Sequence, residues 1–204
     1  MSYYPIAIDV TNKKCLVVGG GEVALRKAQS LSDAGAVVTV IAPEIDSRIM
    51  EIPGVKIGRR TYREGDAAGY VLVFTATGDR TINAAVSAEA KRNGIPVNVV
   101  DDPELCSFIV PSSVRRGDLL IAITTSGKSP ALSKKIRREL EERYGPEYVD
   151  FVDMLGELRD EVKEKYPTQT EREAAFNRLI NCGILELLRE GKREEAVKRA
   201  RQCI

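Results

Sequence analysis

The sequence predicts an α/β protein in which a doubly wound parallel sheet is followed by a small helical region, and three observations carry that expectation. Continuous Val/Ile/Leu runs alternate with helical patterns through the first half, as a sheet buried on both faces requires. A glycine turn joins the first run to the first helix. Charge density then rises: residues 1–112 hold 12 basic and 13 acidic side chains, while residues 113–204 hold 19 and 17, interspersed with Leu at helical spacing.

The predicted strands are Lys14 to Val18, Val37 to Ala42, Tyr70 to Thr75, Pro96 to Val100 and Leu119 to Thr124, with a further strand near Val55 to Tyr62. Helices are expected over Val23 to Ala34 and Thr81 to Asn93, with Asp79 capping the second and Gly94 ending it. After Ser126-Gly127-Lys128-Ser129-Pro130, Ser129 caps a helix that has Pro130 at its first position and a stripe of Leu132, Ile136 and Leu140. Pro146 opens another helix carrying Phe151, Met154, Leu155, Leu158 and Val162. Thr170 and Glu173 form a capping box ahead of Phe176, Leu179, Ile180, Leu187 and Leu188.

Composition removes whole classes of function. The 204 residues carry 31 Lys+Arg and 30 Asp+Glu, and a net charge of +1 gives no electrostatic argument for nucleic acid or a membrane surface as partner. No apolar run reaches the ~18 residues that mark a membrane span, and Met1-Ser2-Tyr3-Tyr4-Pro5 lacks the pattern of a signal peptide, so a cytoplasmic protein is expected. Cys15, Cys106, Cys182 and Cys203 are widely spaced without a CxxC, which fits reduced thiols better than a metal or disulfide framework. With no histidine, Ser-His-Asp and Cys-His catalysis are excluded, and any acid or base is a carboxylate, lysine, tyrosine or thiol.

The strongest motif is Gly19-Gly20-Gly21-Glu22-Val23-Ala24, a GxGxxA pattern that directly follows a predicted strand and opens a helix. Gly19 permits the tight turn, Gly21 lets the main chain approach a pyrophosphate, and Ala24 allows close helix-strand packing, with helix N–H groups facing the phosphates. A dinucleotide is expected there. The second strand ends Ile41-Ala42-Pro43-Glu44, so its acid lies about two residues beyond the usual ribose-binding position. Glu44 or the main chain at Pro43 carries that contact, or Glu44 is a solvated loop acid. The absence of Arg before Arg48 tilts the expectation toward NAD rather than NADP. Thr77, in the turn Thr75-Ala76-Thr77-Gly78-Asp79, is placed to pass beneath the nicotinamide-side ribose. The fourth parallel strand delivers Asn98, Asp101 and Asp102 to the carboxyl edge, where open α/β sheets bind ligands; Asp101 enters the cleft or caps the chain, and Asp102 caps the turn before Pro103.

Taken together, Val17 to Ala28 around the glycine turn, Asn98-Val99-Val100-Asp101, Ser107-Phe108-Ile109-Val110-Pro111-Ser112 and Thr124 to Pro130 occur in the order and spacing of the sirohaem-synthase dehydrogenase family, which the chain resembles over essentially its whole length. The resemblance implies a Rossmann-like NAD-binding domain (1–112), a dimerisation segment (113–145) and a helical C-terminal domain (146–204). It further implies a homodimer that oxidises precorrin-2 to sirohydrochlorin with NAD, sometimes with ferrous iron insertion as a second activity. Glu22, Val23, Pro43 and Glu44 match the family's dinucleotide contacts, Asp101 its proposed catalytic aspartate, and Thr125 a position where many members have serine. Asn98, Ser126, Gly127 and Lys128 are the substrate-facing candidates, and no metal site is expected.

Precorrin-2 is rich in carboxylates, so Arg115, Arg116, Lys128, Lys134, Lys135, Arg137 and Arg138 form either an electropositive wall or a solvated helix face balanced by Glu139, Glu141 and Glu142. Leu132, Ile136 and Leu140 are expected to pack in the dimer. The rival reading is a non-catalytic NAD-sensing module, which leaves the Asn98 to Asp101 and Ser107 to Ser112 matches without a purpose. A short-chain reductase is disfavoured because no Tyr-x-x-x-Lys pair is evident.

Overall fold

The computed structural model describes residues 3–204, which divide into two compact units, 3–110 and 111–204. The first unit is a five-stranded, all-parallel sheet in the order β3-β2-β1-β4-β5, formed by β1 (Lys14–Val18), β2 (Val37–Ile41), β3 (Lys56–Gly58), β4 (Leu72–Thr75) and β5 (Val97–Val99). Strand β1 is central, with Val17 opposite Val40 of β2 and Phe74 of β4.

The alternation of the strands divides the core in two. Cys15, Val17, Val38, Val40, Leu72 and Phe74 face one side, where α1 (Glu22–Asp33) covers them with Ala24, Ala28 and Leu31. Leu16, Val18, Ile41, Val73, Val97 and Val99 face the other, beneath Val86 and Ala90 of α3 (Arg80–Arg92). Helix α2 (Ser47–Met50), not anticipated from the sequence, adds buried Ile49 to the first cluster. Burial on both faces is why these strands read as unbroken apolar runs.

The second unit opens with a two-stranded antiparallel sheet, β6 (Ser112–Arg116) and β7 (Leu119–Ile123). This corrects the expectation that Leu119 to Thr124 belongs to the parallel series. Only Gly117 and Asp118 separate the two strands, far too few residues for a parallel crossover, and Gly117 at φ 56 supplies the left-handed conformation that such a hairpin needs. The apolar run is also only half covered: Leu119, Ile121 and Ile123 are half-buried, whereas Leu120 is 44% exposed.

Helix α4 (Pro130–Arg143) begins as expected, with Ser129 Oγ accepting the Leu132 N–H at 3.3 Å and Pro130 at the first position. Five shorter helices follow: α5 (Glu147–Glu157), α6 (Arg159–Lys165), α7 (Gln169–Asn181), α8 (Ile184–Arg189) and α9 (Arg193–Cys203). Phe151, Met154, Leu158, Val162, Leu179, Ile184 and Leu188 share one core, but on more helices than the sequence indicated. The chain breaks at Leu158 and again at Gly183, whose φ of 81 ends α7 in the left-handed region.

The capping box lies at Thr168 and Glu171, not at Thr170 and Glu173. Both frames satisfy the pattern. In the earlier one Thr168 Oγ1 accepts the Glu171 N–H at 3.3 Å and Glu171 Oε2 accepts the Thr168 N–H at 3.1 Å. It also brings Arg172 Nε to the Tyr166 carbonyl at 2.7 Å, adding a further tie. No helix among the described residues is long and apolar enough to cross a membrane.

Candidate functional site

At the carboxyl edge of the parallel sheet, the turns after β1, β2, β3 and β4 enclose a cleft of about 460 Å³. Its floor is the glycine turn, and the three glycines serve different ends. Gly19 sits at φ 127 with its Cα against the Ala76 carbonyl; a Cβ there would lie 2.5 Å from that oxygen. At Gly20 a Cβ would lie 1.9 Å from the Glu44 carbonyl oxygen, and the Asp46 N–H donates to the Gly20 carbonyl at 2.8 Å, so the loop after β2 rests on the turn. A Cβ on Gly21 would meet no protein atom within 4 Å. Packing accounts for the first two glycines, whereas the third leaves the start of α1 open to the approach of a ligand.

Gly21 also opens α1 with no side-chain cap, and the first intrahelical bond runs from the Leu25 N–H to the Gly21 carbonyl at 2.9 Å. The N–H groups of Glu22 and Val23 therefore precede the helical ladder and point out of its end, a ready seat for a phosphate. Of the dinucleotide candidates, Gly19, Gly21, Pro43, Glu44 and Thr77 line the cleft. Ala24 is fully buried against the sheet and acts by packing, while Val23 is half-buried in the first turn. The Glu22 carboxylate turns outward to Arg48, with Nη2 to Oε2 at 2.6 Å. Arg48 is held equally by Asp46, at 2.6 Å to Oδ2, and its guanidinium keeps the Asp46 carboxyl below the usual carboxylate range.

Thr77 is fixed by a residue that the motif reading missed. Asn83 is 7% exposed on α3, and its Oδ1 accepts from Thr75 Oγ1 at 2.5 Å and from Thr77 Oγ1 at 2.7 Å, while its Nδ2 donates to the Thr77 carbonyl at 3.1 Å. The turn after β4 is thereby locked in place. Asp79 caps α3 as expected, accepting from the Thr81 N–H at 2.8 Å. The one available signal for Asn83 was a polar residue set among Ile82, Val86 and Ala90 on a buried helix face.

Beyond β5, Asp101 is exposed at φ 61, a left-handed conformation costly for a side-chain-bearing residue. Among the described residues nothing hydrogen-bonds or ion-pairs with its carboxylate. Asp102 contrasts with it and corrects an expectation: it makes no side-chain cap before Pro103, and its carboxylate instead pairs with Arg80 Nε at 3.1 Å, because the 3₁₀ turn Pro103–Leu105 takes the Asp102 carbonyl rather than its side chain. The Asn98 amide is spent within the fold, donating to the Phe108 carbonyl at 3.0 Å and tying down the 106–108 segment with Cys106 and Ser107.

In the second unit, Thr125 to Lys128 form a tight turn closed by the Lys128 N–H on the Thr125 carbonyl at 3.0 Å, with Ser126 at φ 53 and Gly127 at φ 83. Thr125 Oγ1 accepts the Ser129 N–H at 3.0 Å, so its hydroxyl shapes the entry to α4. Ser126, Gly127 and Lys128 are exposed at the tip. Of the basic residues, Arg116 is occupied by the Tyr144 carbonyl at 2.9 Å, Lys135 pairs with Glu139 and Arg137 with Glu141. Arg115, Lys128, Lys134 and Arg138 have no ion-pair partner among the described residues. Leu132 is 47% exposed, with Ile136 and Leu140 half-buried beside it.

An NAD(P)-binding family model matches residues 6–112, the sirohaem biosynthesis protein central model matches 116–143, and the sirohaem synthase dimerisation model matches 147–204. The chain belongs to the sirohaem synthase family. Sirohaem synthases from Methylococcus capsulatus and Ectopseudomonas mendocina are 38% and 41% identical to it over 199 and 196 residues; each match takes in 96% of this chain but 42% of the relative. The chain thus spans about two fifths of the length of the curated relatives it matches. Among solved structures, SirC, a precorrin-2 dehydrogenase, superposes with a TM-score of 0.78 at 26% identity, covering 98% of this chain and all of that one. The NAD(P)-binding match and the likeness to SirC support a nicotinamide cofactor, and the residues of the cleft fit one: an open surface at Gly21, uncapped N–H groups at Glu22 and Val23, and an acidic loop at Glu44.

Proposed function

We propose that this member of the sirohaem synthase family oxidises precorrin-2 to sirohydrochlorin with NAD, working as a homodimer in the cytoplasm. The observation that carries the reading is the pairing, on one sheet edge, of a glycine cradle left open at Gly21 with an unpartnered carboxylate at Asp101. The reaction removes two hydrogens from the tetrapyrrole as a hydride and a proton. When bound, NAD supplies the acceptor for the hydride. Asp101 takes the proton, and the strained backbone at φ 61 holds its carboxylate away from the cations that would quench its basicity. Asn83 fixes the turn through Thr77 so that the nicotinamide half of the cofactor has one seat.

NAD is preferred to NADP because the ribose end of the cleft is acidic. Glu44 lines it, and Arg48, the nearby cation that could bind a 2′-phosphate, is already held by Glu22 and Asp46. The four free cysteines fit a reducing compartment. The dimerisation region matched at 147–204 supports the homodimer, and exposed Leu132 with Ile136 and Leu140, in the central region matched at 116–143, offers a further apolar surface to the second copy.

Anaerobic incubation of the protein with precorrin-2 and NAD tests the assignment, with sirohydrochlorin and NADH expected in equal amounts. Asp101→Ala is expected to lower the rate by about 10²–10⁴-fold while leaving NAD affinity unchanged. Full activity in that variant would remove Asp101 from the mechanism, and tight NAD binding with no tetrapyrrole turnover would favour a sensing module. Ferrous ion added afterwards reads metal insertion separately, as a spectral change above a no-enzyme control.

A further inference from the structure

Tyr62 carries no motif, yet it stands between two hollows. With Thr61 and Ile82 it lines one end of the dinucleotide cleft, and with Ile82 it also lines a second hollow of about 290 Å³ along α3, so its ring is part of the partition between them. The ring is half-buried, and its hydroxyl is hydrogen-bonded to the carboxylate of Glu89, a residue only 3% exposed. The same carboxylate accepts the N–H groups of Gly65 and Ala67, each at 3.0 Å. A second clamp, Arg60 Nη2 to Asp66 Oδ1 at 2.8 Å with the Arg63 N–H on Asp66 Oδ2 at 2.8 Å, closes the same loop on itself. Glu89 therefore holds the ring and Asp66 braces the loop that carries it, so that a ring packed on the core also shows at the edge of an open cleft.

The direction of the cleft gives the ring its use. From the glycine turn it passes Pro43 and Glu44 after β2 and reaches Thr61 and Tyr62 after β3, where Ile82 of α3 completes the lining, whereas Asp101 follows β5 at the opposite edge of the sheet from β3. A dinucleotide whose pyrophosphate rests on the glycine turn, with its reactive end toward Asp101, sends its purine toward Tyr62. We infer that Tyr62, with Ile82, is the platform against which the purine ring lies, and that Glu89 is the positioning residue that sets the angle of that platform. This rests on the reading of the cleft as the NAD site. Burial and the Glu89 carboxylate both push the Tyr62 phenol pKa upward, so the ring stays neutral and offers an uncharged π-face.

Calorimetric titration of the wild type, Tyr62→Leu, Tyr62→Phe and Glu89→Gln with NAD, 5′-AMP and nicotinamide mononucleotide separates the two halves of the ligand. Tyr62→Leu is expected to weaken NAD and 5′-AMP about tenfold, the usual scale for losing one base-aromatic stack, and to leave nicotinamide mononucleotide within about twofold. Tyr62→Phe keeps the platform and stays within about threefold, and Glu89→Gln weakens 5′-AMP but not the mononucleotide, a split that general loosening of the fold would not produce. Tyr62→Leu binding NAD and 5′-AMP as the wild type does would overturn the inference. A wild type that binds none of the three overturns the reading of the cleft itself, and this inference with it. Photolabelling the wild type with 8-azido-AMP needs no variant: labelling on the peptide containing Tyr62 supports the platform, and labelling confined to other peptides overturns it.

Discussion

Arg48 reaches back 26 residues to Glu22, Nη2 to Oε2 at 2.6 Å, and so fastens the helix α2 segment to the first turn of α1, next to the glycine turn. The pair is exposed and adds little to stability, but it holds Arg48 in an ion pair that a cofactor 2′-phosphate would have to displace. NADP is expected to bind at least about tenfold more weakly than NAD. Glu22→Gln loosens Arg48 and should narrow that gap, as read by titration with both cofactors; equal affinities in the wild type would refute the assignment of cofactor preference.

The neighbouring glycines should separate folding from binding. Gly20→Ala drives a methyl group into the Glu44 carbonyl and is expected to cost about 2 kcal/mol or more, seen as a lower melting temperature. Gly21→Ala meets no protein atom, at a φ of −92 that any residue adopts, so stability should change by less than about 1 kcal/mol while NAD affinity falls at least about tenfold.

Asn83→Ala leaves the buried Thr75 hydroxyl without its acceptor and releases Thr77. A loss of about 2–3 kcal/mol in chemical denaturation is expected, accompanied by weaker cofactor binding. Asn83→Asp keeps the acceptor and should recover part of the stability, an outcome that a simple volume effect at this site would not give.

Burial pushes the Cys15 thiol up to about 11 from the ordinary value of 9.0. The unfolded chain therefore loses that proton first as pH rises. Stability from this residue is intact below about pH 9 and declines between 9 and 11, by at most ~1.4 kcal/mol per unit. Denaturation curves at pH 8 and pH 10.5 should show the decline, with a smaller slope in Cys15→Ala. Cys182, also pushed up to about 11, sustains the remainder. Native protein at pH 8 should leave Cys15 unmodified by thiol reagents until it unfolds.

What the sequence disclosed follows from how many independent constraints met at each place. Val17 and Val40 sit between two covered faces, so their segments are apolar without alternation, and the parallel sheet was legible from that alone. The glycine turn was legible because strand, turn and helix agree within ten residues. Ser112 to Arg116 was not: a two-stranded hairpin buries only Val114 from that segment, and Ser-Ser-Val-Arg-Arg has no strand signature. Thr168 and Thr170 present the same capping pattern two residues apart, and only the reach of Arg172 to the Tyr166 carbonyl distinguishes them. Asn83 and Glu89 escaped because a buried polar side chain is defined by partners six and more residues away, Thr75 and Thr77 for one and Tyr62 for the other. Asp101 was legible as a position at the end of a strand, whereas its left-handed backbone was not.

The central place of β1 in the sheet has a consequence during synthesis. Within its sheet it is the first strand to leave the ribosome, yet its second neighbour begins only at Leu72, and at about 5–20 residues per second that partner trails by roughly 3–11 s. Over that interval one edge of Leu16, Val17 and Val18 is open to any strand nearby, including those of sister chains on the same messenger. The nascent chain is therefore expected to be a substrate for chaperone holding from the emergence of β2 until β4 closes the gap.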